Sequence, residues 1–182
     1  MTSTRHNELL DLAYAYALEH GLADLSLRPL ATAIGSSPRV LLYLFGSKDG
    51  LVRALLDRAR ADELEFLAQL QRPGLAETAY RLWDWLAAPS HRSVLTLWVE
   101  GYGRSLVEPD GPWADFARTS VTDWLDILAT AQPPRRRRTR VGLAERTAVL
   151  AVLRGGFLDL LATGDAERVT EAVHAQLRSL GA

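Results

Sequence analysis

The chain of 182 residues contains no cysteine. That excludes disulfides, thiolate metal sites and cysteine nucleophiles together. No apolar run approaches the length of a membrane span, and the first residues lack a signal peptide's apolar segment, so a soluble, cytoplasmic protein with no membrane partner is expected. Net charge is almost absent, with 21 Lys+Arg against 22 Asp+Glu and a formal charge of −1. A protein that coats nucleic acid without regard to sequence is usually strongly basic, which argues against that class; a site-specific binder needs only a local basic surface. Lysine is nearly missing as well, Lys48 being the only one. The four histidines, at positions 6, 20, 91 and 174, show no metal-ligand spacing, and there is no Gly-rich phosphate loop or nucleophile elbow. Catalytic residues, metal ligands and cofactors are therefore not expected, and Asp62, Glu63 and Glu65 read as the wet face of a helix.

Sustained alternation of apolar and polar residues is also missing, so no sheet is expected. Helical periodicity runs through nearly the whole chain. Leu9, Leu10, Ala13, Tyr14, Ala17 and Leu18 recur at helical spacing over residues 5–20 and stop at Gly21. A long helix is expected over 48–71. Pro73-Gly74, Pro89-Ser90, Pro109 to Pro112, Pro133-Pro134 and Gly164-Asp165 then separate further helices at about 75–88, 91–107, 112–130, 142–163 and 166–180. The fold class is all-α with about nine helices, divided into a head at 1–46 and a body at 47–182.

Residues 26–51 are the most informative. Ser26 is placed to cap a short helix with Pro29 in its first turn and Leu30, Ala31 and Ile34 on one face. Gly35 supplies a turn; Ser37 can cap a second short helix with Pro38 at its first position. Helix, tight turn and helix is the geometry that sets a recognition helix into the major groove of double-stranded DNA. Arg39 is the best candidate for base readout, because its fork can pair with guanine O6 and N7. Tyr43 lies one turn along on the same face, Ser37 and the free N–H groups beside it suit a phosphate oxygen, and Arg28 can reach the groove wall or an outer base.

All five tryptophans fall between positions 83 and 124. Trp83, Trp98, Tyr102, Trp113, Phe116 and Trp124 are candidates for an aromatic wall, with Glu100 and His91 as polar groups beside them; ordinary core is the competing reading. Leu150, Leu153, Phe157, Leu160 and Leu161 form a broad apolar stripe, and Ala151, Gly155 and Gly156 would permit close helix approach. Val169, Val173, Leu177 and Leu180 make a second stripe. Pairing of these two helices with those of a second copy would make a four-helix bundle, with Leu153, Gly156, Phe157, Leu160, Val173 and Leu177 at the interface of a homodimer. Arg135 to Arg138, after Pro133-Pro134, read as a solvated, mobile loop.

With these residues in view, the chain resembles the tetracycline-repressor-type (TetR) family of transcription regulators. Ser26, Leu30-Ala31, Ile34-Gly35, Ser37, Leu41, Phe45, Lys48 and Leu51 stand at the family's head positions, and Leu153 to Asp165 is similar to its penultimate helix and following turn. The chain departs from the pattern at Leu42, where the family usually has Tyr, at Leu44, where His or Tyr is frequent, and at Arg39, where Gly is common. The resemblance implies that Lys48 contacts phosphate, that the aromatic residues line a pocket for a small apolar or aromatic effector, and that the dimer represses from a palindromic operator. A ligand-independent helical architectural protein and a small helical enzyme are the alternatives.

Overall fold

The computed structural model describes residues 2–22, 25–69, 74–108 and 110–180. They form α1 (Thr2–His20), α2 (Leu27–Ala33), α3 (Pro38–Phe45), α4 (Lys48–Gln69), α5 (Leu75–Ala87), a 3-10 turn (Pro89–His91), α6 (Arg92–Val107), α7 (Phe116–Ala131), α8 (Pro134–Arg137), α9 (Arg140–Thr163) and α10 (Ala166–Ser179). Among the described residues there is no strand, and the fold is all-α as expected. The expected end of the long helix at 70–71, Pro73 and Pro109 lie outside the described residues.

Local chemistry explains most helix ends. Ser37 accepts the N–H of Val40 at 3.3 Å, with Pro38 opening α3. Gly35 (φ 63°) turns the chain between α2 and α3, and Gly46 (φ 77°) ends α3. Ser26 takes the extended backbone of an N-cap, but its side chain makes no capping bond, contrary to expectation. The seventh helix starts at Phe116 rather than 112, because residues 111–115 turn through Gly111 (φ 103°) and Asp115 (φ 62°). Ser105 then accepts the N–H of Ala117 at 3.0 Å.

The chain divides into two compact units, residues 1–63 with 93–119 and residues 64–92 with 120–182. In the first, Leu9, Ala13 and Ala17 of α1, Leu30 and Ala31 of α2, Leu41 of α3 and Leu51 and Leu55 of α4 are buried. Arg58 of α4 pairs with Asp11 of α1 at 3.3 Å and with Asp62, its guanidinium 5.4 Å from the Tyr14 ring centroid. A planar cation above a ring face adds to the packing of α1 on α4.

In the second unit α5, α9 and α10 pack on one another. Trp83 of α5 is completely buried, and its indole N–H donates to Thr170 of α10 at 3.1 Å. Gly156 makes this approach possible: a Cβ there would lie 2.5 Å from Val173 and 2.9 Å from the Trp83 ring. Leu153, Phe157, Leu160, Val173 and Leu177 are likewise buried within the chain. The stripe expected to face a second copy is therefore occupied by α5 and α10 of the same chain. A different α9 face stays open, carrying Ala144, Ala148, Ala151, Gly155, Leu158 and Ala162 at helical spacing.

The arginine run is a second correction. Pro134–Arg137 is a helical turn, and two of its arginines are engaged. Arg137 donates to the carbonyls of Thr130 and Gln132 at 2.7 and 2.8 Å, closing the end of α7, where orphan carbonyls favour a cation. Arg136 pairs with Glu145, and Gln132, buried, donates to the Gly142 carbonyl at 2.9 Å.

Hydrogen bonds from Arg136 hold the Glu145 carboxyl below its ordinary range, and those from Arg168, at 2.7 and 2.9 Å, do the same for Asp159. A lowered folded-state pKa contributes stability above the unfolded value of about 4, and that contribution is lost as pH falls through the folded value. Both pairs are solvent-exposed, so the effect is small. Melting temperature should fall as pH drops below about 4, and Asp159→Asn should flatten the fall; an unaltered pH profile in that variant would contradict the assignment.

Candidate nucleic-acid interface

The interface follows from which side of α3 the core takes. Leu41 is buried against the head core, and Leu44 and Phe45 are half-buried. That leaves Arg39, Val40, Leu42 and Tyr43 pointing outward, and Tyr43 is 78% exposed, a large aromatic left out of every core. Arg39 and Tyr43 stand one turn apart on this face. Arg28 is exposed on α2, where Thr32 donates back to its carbonyl at 3.1 Å. Lys48 opens α4, whose first turn is capped by Ser47 accepting the N–H of Gly50 at 2.9 Å. Among the described residues, the side chains of Arg28, Arg39, Tyr43 and Lys48 have no hydrogen bond or ion pair. Unpaired donors on the helix-turn-helix and at the start of α4 suit contacts to phosphate. Ser37 accepts from Val40, and its hydroxyl proton is still available to a phosphate oxygen.

Val40 and Leu42 join this surface although the sequence pattern does not single them out. Both are exposed, at 38% and 41%, and an apolar side chain on a recognition helix can meet a thymine methyl. The signal is obscured because every α3 residue except Arg39 is apolar or aromatic, and only tertiary packing selects Leu41 as the inward one.

Residues 9–55, from α1 into α4, match the family model described as "Bacterial regulatory proteins, tetR family". The helix-turn-helix head carries the signature of the TetR family. Over 183 residues it is 27% identical to the HTH-type transcriptional repressor AcnR of Corynebacterium diphtheriae, covering 97% of this chain and 93% of that one. The fold is shared with a TetR transcription regulator from Haloarcula marismortui (TM-score 0.77, 16% identity, 98% of this chain and 96% of that one). It is also shared with the multidrug binding protein EbrR complexed with proflavin (TM-score 0.68, 24% identity, 94% and 99%). All five DNA-reading candidates lie inside the TetR-family match.

The structure divides the six candidate pocket aromatics. Trp98, Tyr102, Trp113 and Phe116 belong to the first unit, Trp83 and Trp124 to the second. Trp98 stacks on Tyr102 with centroids 4.6 Å apart, and Phe116 lies against Gly101, where a Cβ would be 3.2 Å from its ring and 2.7 Å from Leu56. Trp83 is committed to the α5–α9–α10 contact. His91 bonds the Trp85 carbonyl at 2.9 Å and stacks on that ring, while Glu100 accepts the N–H of Leu22 at 2.7 Å. The first unit also has a half-open cleft of about 170 Å³, bounded by Arg53, Leu56, Asp57 and Arg60 of α4 and by Asp115, Phe116 and Thr119. Phe116 is the pocket candidate that lines it. Its four charged side chains come from segments more than fifty residues apart, a meeting that periodicity does not reveal. Among the described residues no His, Cys, Asp and Glu group could hold a metal ion, and no helix is long and apolar enough to cross a membrane.

Proposed function

We propose that this chain is a TetR-family regulator: a cytoplasmic, homodimeric repressor that holds a palindromic operator and is released by a small-molecule effector. The observation that carries the reading is the unpaired outward surface of Arg39, Tyr43, Arg28 and Lys48 on a helix-turn-helix whose core is complete without them. In this division of labour, residues 1–46 read DNA and residues 47–182 bind the effector and the second copy. Repression is supported by the relative AcnR, a transcriptional repressor. Ligand release is supported by the shared fold with the multidrug binding protein EbrR, which was solved in complex with proflavin. Trp98, Tyr102, Trp113 and Phe116 supply the apolar surface for such a molecule in the first unit, and Trp124 is the candidate in the second. The charged cleft beside Phe116 adds groups for a polar substituent.

The second copy is assigned to the open α9 face. Its six small or apolar residues carry no charge over five turns, and nothing lies within 4 Å of a Cβ added at Gly155. A helix-turn-helix reads two half-sites about 34–36 Å apart, which a two-fold dimer supplies. An effector then acts by favouring a head spacing that no longer fits, and it shifts the population only by its differential affinity for the two states.

Selection of bound DNA from random oligonucleotides tests the reading; recovery of no palindrome would count against it. On the selected operator, Arg39→Ala should cost about 1–3 kcal/mol and relax preference at one base pair, while Lys48→Ala should weaken all sequences about equally and lower the salt dependence. Gel-shift titrations on single-base operator variants separate the two patterns. Unchanged base preference in Arg39→Ala would remove its assignment as a base reader.

A further inference from the structure

We propose that Glu100 is a positioning residue for the DNA-reading head, tethering α6 to the end of α1. This rests on the operator-binding reading above. Glu100 Oε2 accepts the N–H of Leu22 at 2.7 Å, joining residues 78 apart in sequence. Leu22 is buried and follows directly on Gly21, where α1 has ended.

Three features mark the contact as a tether rather than a local cap. First, a carboxylate beside a helix C-terminus is opposed by the helix dipole, so this bond is not there to stabilise α1. Second, the Leu22 N–H lies beyond the last α1 hydrogen bond, made by Gly21 to the Ala17 carbonyl at 2.8 Å, and needs a partner from elsewhere. Third, the backbone is shaped for the approach. Gly21 has φ 81°, and a Cβ there would stand 3.4 Å and 3.9 Å from the two Glu100 oxygens. A residue with a side chain at 21 would be strained by the backbone angle, and its Cβ would stand in van der Waals contact with the carboxylate.

The position of the bond gives it leverage. Leu22 and Leu25 are core residues at the junction between α1 and α2, and α2 packs on both α1 and α3. Fixing the Leu22 amide on α6 therefore limits the rotation of the whole three-helix head about that junction. Trp98 and Tyr102 flank Glu100 in sequence on α6, stacked on each other. A molecule that displaces that stack would move the helix that carries the tether. A head that samples several orientations presents its recognition helix correctly for only part of the time, and its apparent affinity falls by that fraction.

The test uses the full chain and the operator recovered by selection. Glu100→Ala should weaken operator binding about tenfold or more and speed hydrogen exchange at the Leu22 amide, with the melting temperature within a few degrees of the parent. Glu100→Gln keeps a carbonyl acceptor and loses the charge assistance, so its affinity should fall between the two. The proposal is overturned if Glu100→Ala binds within about twofold of the parent, or if Glu100→Gln is as weak as Glu100→Ala. Should Glu100→Ala fail to fold, Glu100→Gln decides: faster Leu22 exchange with parental affinity overturns it, and faster exchange with reduced affinity supports it. If the parent chain itself selects no operator, the repressor reading fails, an outcome distinct from equal binding by parent and variants.

Discussion

Gly155→Arg is expected to convert the proposed dimer to a monomer and to lower operator affinity about 100-fold or more, because two linked half-site contacts become one. The residue stands in the middle of the open α9 face, between Ala151 and Leu158, where Leu158 is 46% exposed. Within the chain nothing lies within 4 Å of a Cβ at 155, and the position is exposed. Replacing a mid-helix glycine also favours the helix by about 1 kcal/mol, so the monomer should fold at least as well as the parent. Across a two-fold axis, by contrast, the same face meets itself, and each arginine arrives opposite its own copy. Two cations taken out of water without a partner are not tolerated in a close-packed helix interface. Light scattering coupled to size exclusion reads the mass, and operator titration reads the affinity. Circular dichroism should be unchanged. A variant that keeps the dimer mass would move the interface away from this face.

Trp83→Ala should cost about 3–5 kcal/mol of stability, as expected for removing a large buried aromatic. Trp83 is 0% exposed and fills the space left by the missing side chain of Gly156. Its loss opens a cavity against Val173 and leaves the Thr170 hydroxyl without the indole donor. The unit cannot easily close the gap, because α5, α9 and α10 all contact one another and a shift of one is resisted by the other two. Trp85→Ala is the natural comparison. Trp85 is half-buried and stacks on His91 at 4.4 Å, so its removal should cost about half as much or less. Urea unfolding midpoints of the two variants order the effects. Equal midpoints would show that Trp83 is not the packing centre of the second unit.

Both variants bear on one ambiguity in α9. Its sequence is apolar or small on nearly every side, so helical periodicity places the helix but does not say which stripe faces the chain's own core. Leu153, Phe157 and Leu160 are larger, and on their pattern alone they read as a dimer seam. The structure assigns them to the core because Trp83 of α5 and Val173 of α10 reach that side, through the opening at Gly156. The dimer face proposed above is then the stripe of smaller residues that the core leaves open.

Other features were legible without any fold. Capping by Ser37, Pro38 at the start of α3 and the glycine turn at 35 are short-range effects, set by neighbouring residues along the chain. The helix-turn-helix follows from them, whereas the outward placing of Tyr43 depends on Leu41 being the inward residue of α3, which tertiary packing selects. The arginine run differs from its expected loop for the opposite reason. Its partners, the carbonyls at the end of α7 and Glu145 on α9, become partners only once the chain has turned back at Pro133.

By itself, then, the sequence determined the helices, most of their ends and the helix-turn-helix of this chain, because these depend on interactions within a few residues. The tertiary structure alone decided the rest: which α9 stripe is core, what the arginines at 136 and 137 hold, which charges line the cleft beside Phe116, and that Glu100 reaches Leu22. Each of those pairs groups distant along the chain, and a periodic pattern carries no information about what a face will meet.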